Sequence, residues 1–220
     1  MSGLSKRFQK IGFIKPVGQQ HLLVQSNSGA SIKVDKDVKL IREHFALNHL
    51  DYKDMSPVII PRGYTKDYID GKIDKTLQLK SITRAYENQN HCDMLLMEGT
   101  GHIGVGSCIN VNNASVAAMA GADMVLVANG GLGSAFDDLE LNYTMCKMNG
   151  VRVAGVIINK VMPEKFEQTK KYMTALLMNN WGVPLLGCVP DKPFLGCPAL
   201  ADLEHLFGTE LLAGADFRLR

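Results

Sequence analysis

CDMLLMEGTGHIGVG, residues 92–106, decides how the rest of the chain is read. The apolar run Met94–Met97, bounded by Asp93 and by glycines, predicts a buried strand of a parallel sheet, whose strands are apolar on both faces. Glu98 stands at its carboxyl end, with Gly99, Thr100 and Gly101 directly after it. In open α/β sheets ligands bind beyond the carboxyl ends of the strands, so a carboxylate there faces the expected site. It suits Mg2+ held against phosphate oxygens, because hard cations prefer oxygen donors. Glycines beside it let backbone N–H groups approach a ligand with no Cβ in the way.

Downstream, Asn112 and Asn113 cap a helix over 114–120, which Gly121 ends. A buried strand follows over 124–128, with its terminal loop at 129–133. Ser134 caps the next helix, which runs to Met148 and stops at Asn149 and Gly150. A strand over 151–158 ends at Asn159 and Lys160. A long amphipathic helix over 164–180, a last strand over 183–189, and a loop with a short helix over 190–212 complete this part. The alternation predicts an α/β fold with a doubly wound, mostly parallel sheet.

Upstream, residues 11–14 form a short strand running into Lys15, Pro16, Val17 and Gly18, and residues 4–8 resemble the last turn of a helix. Residues 27–30 are turn-rich. Val38, Ile41 and Phe45 recur at helical spacing, with Asp35 as the cap. The apolar segment 56–61 is fenced by prolines and reads as an edge strand. Residues 66–88 carry two helical stretches, the second with Leu77, Leu79, Ile82 and Tyr86 on one face. No linker or repeat interrupts the pattern, so residues 1–220 are expected to form a single domain.

The chain is long enough to bury a sizeable core, and 46% hydrophobic with 21% charged residues is the balance of a soluble globular protein. A net charge of +2, scattered along the chain, gives no electrostatic reason for a nucleic-acid or membrane partner. No apolar run approaches the ~18 residues that cross a bilayer, and residues 1–10 lack a signal core. Five cysteines without C-x-x-C spacing predict free, mostly buried thiols in a reducing, cytoplasmic setting and no zinc site.

Five loops follow strands and share one sheet edge in this reading: 15–20, 98–106, 129–134, 159–160 and 190–195. Lys15 is thereby set to meet an anion, phosphate or carboxylate. Residues 99–104 match G-x-G-x-x-G formally, but a dinucleotide fingerprint needs a helix opening at the third glycine and an acid ending the next strand. Here the helix opens near Asn113 and the strand ends at Asn129, so that reading is set aside. His102 is a minor acid–base candidate. Asp37 and Asp35 are candidate metal or substrate contacts, with helix capping the better account of Asp35.

The segments Lys15-Pro16-Val17, Met97-Glu98-Gly99 with Gly101, the loop after Val127, Ile157-Ile158-Asn159 and Leu186 to Pro190 occur in an order that resembles the dethiobiotin synthetase-like branch of the P-loop NTPase superfamily. The same module stands at the front of some phosphate acetyltransferases and in relatives of cobyrinic acid a,c-diamide synthase. The resemblance implies that Lys15 contacts phosphate or substrate and that Glu98 binds Mg2+ and the reacting group. It implies adenine recognition by Asn159 with Pro190 flanking the base, a backbone cradle at Gly99 and Gly101, and a second metal contact at Asp37 or Asp35. ATP and Mg2+ are the cofactors it implies.

One departure qualifies it. The family carries a G-x-x-x-x-G-K-[S/T] loop after an initial strand, and no such motif occurs in these 220 residues. That loop supplies the backbone cradle and the lysine on the β/γ-phosphates. The expected fold is therefore an N-terminally truncated member, with residues 211–220 as a lead-in to a further domain. Three functions follow as expectations. The first is a regulatory module that binds an adenine nucleotide or anion with little turnover. The second is an ATP-dependent ligase whose P-loop lies in a longer form or partner chain. The third is a non-catalytic partner that forms a homodimer or pairs with a full-length paralogue through an exposed sheet edge.

Overall fold

Pro16 sets the geometry at the start of the fold. It has no N–H to offer a ladder, so the extended chain is split into β1 (Ile11–Ile14) and β2 (Val17–Gly18). The computed structural model describes residues 1–26 and 29–218. The turn expected at 27–30 and the segment 211–220 therefore lie partly outside the described residues. The chain divides into two compact units, the first holding Met1–Val125 and Leu139–Ala154, the second Leu126–Asp138 and the residues from Gly155 onward.

In the first unit β1 pairs in parallel with β6 (Met94–Met97), Ile11 opposite Met94 through Ile14 opposite Met97. β2 pairs in parallel with β5 (Val58–Ile59), the short strand expected between the prolines. Between β2 and β5 in sequence comes an antiparallel hairpin, β3 (His21–Gln25) on β4 (Ser31–Asp35), which leads into α1 (Lys36–His44). Helices α2 (Tyr52–Met55), α3 (Tyr64–Ile69), α4 (Leu77–Glu87) and α5 (Asn113–Met119) complete the unit.

Two apolar clusters hold it together. Phe13, Val24, Val34, Val38, Leu50 and Met55 form one, and Val17, Val58, Tyr68, Ile82, Val111 and Val116 the other. Each fully buried aliphatic or aromatic side chain contributes about 1.5–3 kcal/mol.

The remaining elements are β7 (Met124–Asn129), α6 (Gly133–Met148), β8 (Val153–Val161), α7 (Phe166–Trp181), β9 (Leu185–Pro190) and α8 (Leu200–Phe207). Strand, helix, strand, helix, strand, helix, strand thus runs from β6 to β9 as the sequence predicts. β7, β8 and β9 are ordered side by side, with β9 parallel to β8. In the second unit α7 buries Met173 and Leu177, and Phe136 stacks on Trp181 with ring centroids 4.9 Å apart. This is an α/β fold of parallel strand ladders and helices, consistent with a P-loop NTPase-like architecture.

The structure corrects several expectations. β6 is half-buried rather than buried, because its ladder has one partner, β1, among the described residues. In β7 only Leu126 is buried while Val125 and Val127 are exposed, since alternate side chains point to opposite faces and one face is uncovered. The hairpin went unpredicted because paired leucines at 22 and 23 hide the alternation of a strand. Helix α6 opens at Gly133, so Ser134 lies inside its first turn rather than at the cap. Among the five cysteines, none in a disulfide, only Cys146 is buried. No helix among the described residues is long and apolar enough to cross a membrane.

Candidate functional site

Lys15 follows β1 where Pro16 breaks the ladder, and its backbone N–H donates to Met55 O at 2.8 Å. Its side chain, 9% exposed, ends among three carboxylates. Nζ lies 3.1 Å from Asp35 Oδ1 and 3.6 Å from Glu98 Oε1, and donates to Asp37 Oδ2. Asp35 is 2% exposed, against 36% for Asp37 and 40% for Glu98. One buried and two half-exposed acids therefore face one buried base, and the open side of the cluster is negative. The local sum of one positive and three negative charges is −2.

Each acid has a local reason for its position. Asp35 ends β4 and caps α1, its Oδ1 accepting from Asp37 N at 3.0 Å. Its own N–H donates to Ser56 Oγ at 3.0 Å. Gly18 is needed beside it, because a Cβ there would lie 2.6 Å from Asp35 Oδ2. The sequence offered Asp35 as cap or ligand contact; it is both the cap and the buried partner of Lys15. Glu98 follows β6 directly and is held by its N–H to Ile14 O at 2.8 Å, which aligns it with the end of β1.

Burial pushes the Glu98 carboxyl above its ordinary value, and the Asp37 and Asp35 charges add to this against the pull of Lys15. For Lys15, burial lowers the pKa, yet the hydrogen bonds to Asp37 and Asp35 and the Glu98 charge outweigh it and leave the ammonium above its ordinary value.

The loop after Glu98 is fixed rather than free. Thr100 Oγ1 donates to Val17 O at 2.5 Å. Asn113 Oδ1 accepts from Thr100 N, and its Nδ2 donates to Thr100 O and His102 O at 3.1 and 3.0 Å. Asn142 accepts from Ile103 N at 2.9 Å. Gly101 has φ +61°, a conformation that favours glycine. The Thr100 amide beside Gly99 and Gly101 is thus already satisfied. His102 is exposed and accepts from Gly104 N at 3.2 Å, so it closes the turn rather than facing the cluster. Asn112, not Asn113, caps α5, which leaves Asn113 to staple the loop. A cavity of about 360 Å3 adjoins Glu98, walled by Phe13, Ile41, Phe45, Leu96 and Met97 with Met1 and Ser2.

The chain matches the family described as AAA domain, AAA_26, over residues 1–199. It belongs to that family, which is P-loop NTPase-like and of the dethiobiotin synthetase type. The phosphate acetyltransferase of Nitrosomonas europaea is 27% identical over 224 residues, 96% of this chain and 29% of that protein. The phosphate acetyltransferase of Nitratidesulfovibrio vulgaris is 26% identical over 221 residues, 97% of this chain and 30% of that protein. That of Pseudomonas putida is 27% identical over 228 residues, with 96% and 29% covered. The chain spans less than a third of the length of these relatives.

Asn159 and Pro190, which the resemblance implied for adenine recognition, lie in the second unit, and there the strand runs further than expected. β8 continues through Asn159 and Lys160 to Val161, with a register irregularity between Ile158 and Val161. Lys160 has φ +55° and its N–H donates to Asn159 Oδ1 at 3.0 Å. Gly130 permits this bulge, because a Cβ there would sit 2.6 Å from Lys160 O and 2.9 Å from Val161 Cα. Pro190, the last residue of β9, lies opposite Val161, and Asp191 N donates to Val161 O at 2.8 Å. Glu98 and Asp37, which the resemblance implied for metal binding, offer the right donor type. Their arrangement does not fit a cation, because the point they face already holds Lys15 Nζ. Among the described residues no group of three His, Cys, Asp or Glu side chains is disposed to hold a metal ion.

Proposed function

We propose that this domain binds an adenine nucleotide or related anion in a regulatory role, with little or no turnover. The observation that carries the reading is the meeting of Lys15 and Glu98 at the carboxyl ends of adjacent parallel strands, where ligands of α/β sheets bind. A lysine held by three carboxylates is poorly placed to follow a phosphoryl group through transfer, which depends on positioned, uncommitted positive charge. Acids outnumber the lysine, so a bare phosphate meets net repulsion, which Mg2+ carried on a nucleotide would lessen. Asn159 and Pro190 are tied to adenine by family resemblance alone. Since the relatives are named phosphate acetyltransferases, acetyl transfer involving phosphate is the activity such binding would tune.

Calorimetric titration with ATP and ADP, each with and without Mg2+, tests it. The expected result is binding that requires Mg2+, weakens at least about tenfold in Glu98→Gln, and releases no phosphate. No heat with either nucleotide overturns the reading. Steady multiple-turnover hydrolysis contradicts its regulatory part and favours the ATP-dependent ligase.

A second reading rests on β6, whose ladder has β1 as its one partner among the described residues. An apolar strand with an unpaired edge suits strand addition by a second copy or a full-length paralogue. Nucleotide-independent pairing by light scattering supports it, and a monomer at high concentration counts against it.

A further inference from the structure

Helix α8 is amphipathic, yet none of its residues is buried. Leu203, Leu206 and Phe207 recur at helical spacing on one stripe, and Leu206 and Phe207 are 72% and 68% exposed. At about 3.6 residues per turn, Asp202 and Glu204 border that stripe on either side. Residues 199–218 carry four acids, Asp202, Glu204, Glu210 and Asp216, against one arginine, Arg218, which Glu204 already holds at 2.5 Å. α8 is thus an acidic helix with an open apolar stripe.

The first unit carries the complement. A groove of about 420 Å3 runs along α4, lined by Leu79 and Thr83 together with Lys75, Lys80 and Arg84. Leu79 is 43% exposed. Lys75 lies over the Tyr68 ring at 5.3 Å, and Lys80 and Arg84 stand exposed one helical turn apart.

We propose that α8 of one copy of this chain seats its apolar stripe in the α4 groove of a second copy, with the acids of residues 199–218 facing Lys80 and Arg84. An amphipathic helix laid into an apolar groove is a general mode of recognition, and here the charges at the rim match as well. Each face is exposed in the single chain, which leaves a second copy as the occupant. Like charges oppose the other pairings: α8 on α8 sets acid against acid, and α4 on α4 sets cation against cation. The contact is head-to-tail, each copy offering one helix and one groove. It needs neither a nucleotide nor the β6 edge, so it is independent of both readings above.

Sedimentation velocity of the full chain over a range of concentrations tests it, with two variants. Lys80→Glu with Arg84→Glu spoils the groove, and Leu206→Ser with Phe207→Ser spoils the helix. The wild type is expected to self-associate. Each variant alone, and a rise in salt from about 0.05 to about 0.5 M, should weaken association at least about tenfold. Mixed one to one, the two variants should pair again, because one keeps an intact helix and the other an intact groove.

A wild type that stays monomeric overturns the proposal. So does association that survives both variants, as strand addition at β6 would, or a mixture that fails to pair while the wild type associates. All four substituted positions are exposed, so circular dichroism should be unchanged. Should either variant fail to fold, the single changes Lys80→Glu and Phe207→Ser replace it in the same mixture.

Discussion

The carboxyl ends of β1 and β6 and those of β8 and β9 are built by opposite means. At the first, three acids from two stretches of sequence converge on one buried ammonium. At the second, the backbone is irregular: a bulge at Asn159 and Lys160, a positive φ at Lys160, and a glycine pressed against the Lys160 carbonyl. The first end is held by charge compensation and the second by steric fit. Changes at the two ends should therefore differ in their response to charge, salt and pH.

The largest effect is expected for Lys15→Met, which strands the Asp35 carboxylate in the interior. A loss of about 3 kcal/mol is expected by denaturant unfolding, toward the lower end of what a broken buried pair costs because Asp37 and Glu98 remain half-solvated.

Gly130→Ala is next, at about 2 kcal/mol, because the clash is with backbone that cannot swing away. Its loss should be the same at low and high salt, whereas part of the Lys15→Met loss should change with salt. Equal salt responses would break the comparison. Asn113→Ala removes three hydrogen bonds from the loop after Glu98 and is expected to cost about 1–2 kcal/mol, with faster amide exchange at Thr100 and His102.

Glu98→Gln should change stability by less than about 1 kcal/mol, since its carboxylate is half-exposed and is the most distant of the three from Lys15. Much of the fold was open to reading from the chain. The strand at Met94–Met97, a helix over Leu77–Glu87 and the caps at Asp35 and Asn112 each follow from local chemistry, and the structure agrees, although that helix buries Gln78, Ile82 and Ala85 and leaves Leu77 and Leu79 exposed. Lys15 and Glu98 were legible as strand-end residues, and the family match agrees with the resemblance the motifs carried.

What was not legible is their electrostatic relation. Spacing along the chain cannot say that Lys15 meets Asp35 and Asp37 across a hairpin, because the hairpin itself was hidden by adjacent leucines. The reading of Lys15 as a free anion receptor therefore missed its carboxylate partners. Likewise the bulge at Asn159 depends on Gly130, 29 residues earlier (159 − 130) and in a different loop, a pairing no local pattern reports.

The smallest effect concerns pH. The Lys15 ammonium is held above its ordinary 10.5, so the folded chain binds that proton more tightly than the unfolded chain does. Its contribution to stability is complete below 10.5 and fades as pH climbs through the higher folded value. Glu98, raised from its ordinary 4.5, acts over a different window: stability falls slightly as pH rises from 4.5 through its folded value. On the alkaline side, melting curves should show the wild type losing its advantage over Lys15→Met once the pH passes about 10.5. Gly130→Ala should show no such convergence with the wild type.

The most direct measurement is nuclear magnetic resonance of the lysine side-chain nitrogens in the free chain, with Lys15→Arg to assign the signal. An ammonium paired with three carboxylates and shielded from water should give a resolved Lys15 resonance whose protons exchange slowly and which millimolar Mg2+ leaves unmoved. A Lys15 signal exchanging as fast as those of surface lysines, or one displaced by Mg2+ alone, would contradict the account of a lysine-filled carboxylate cluster.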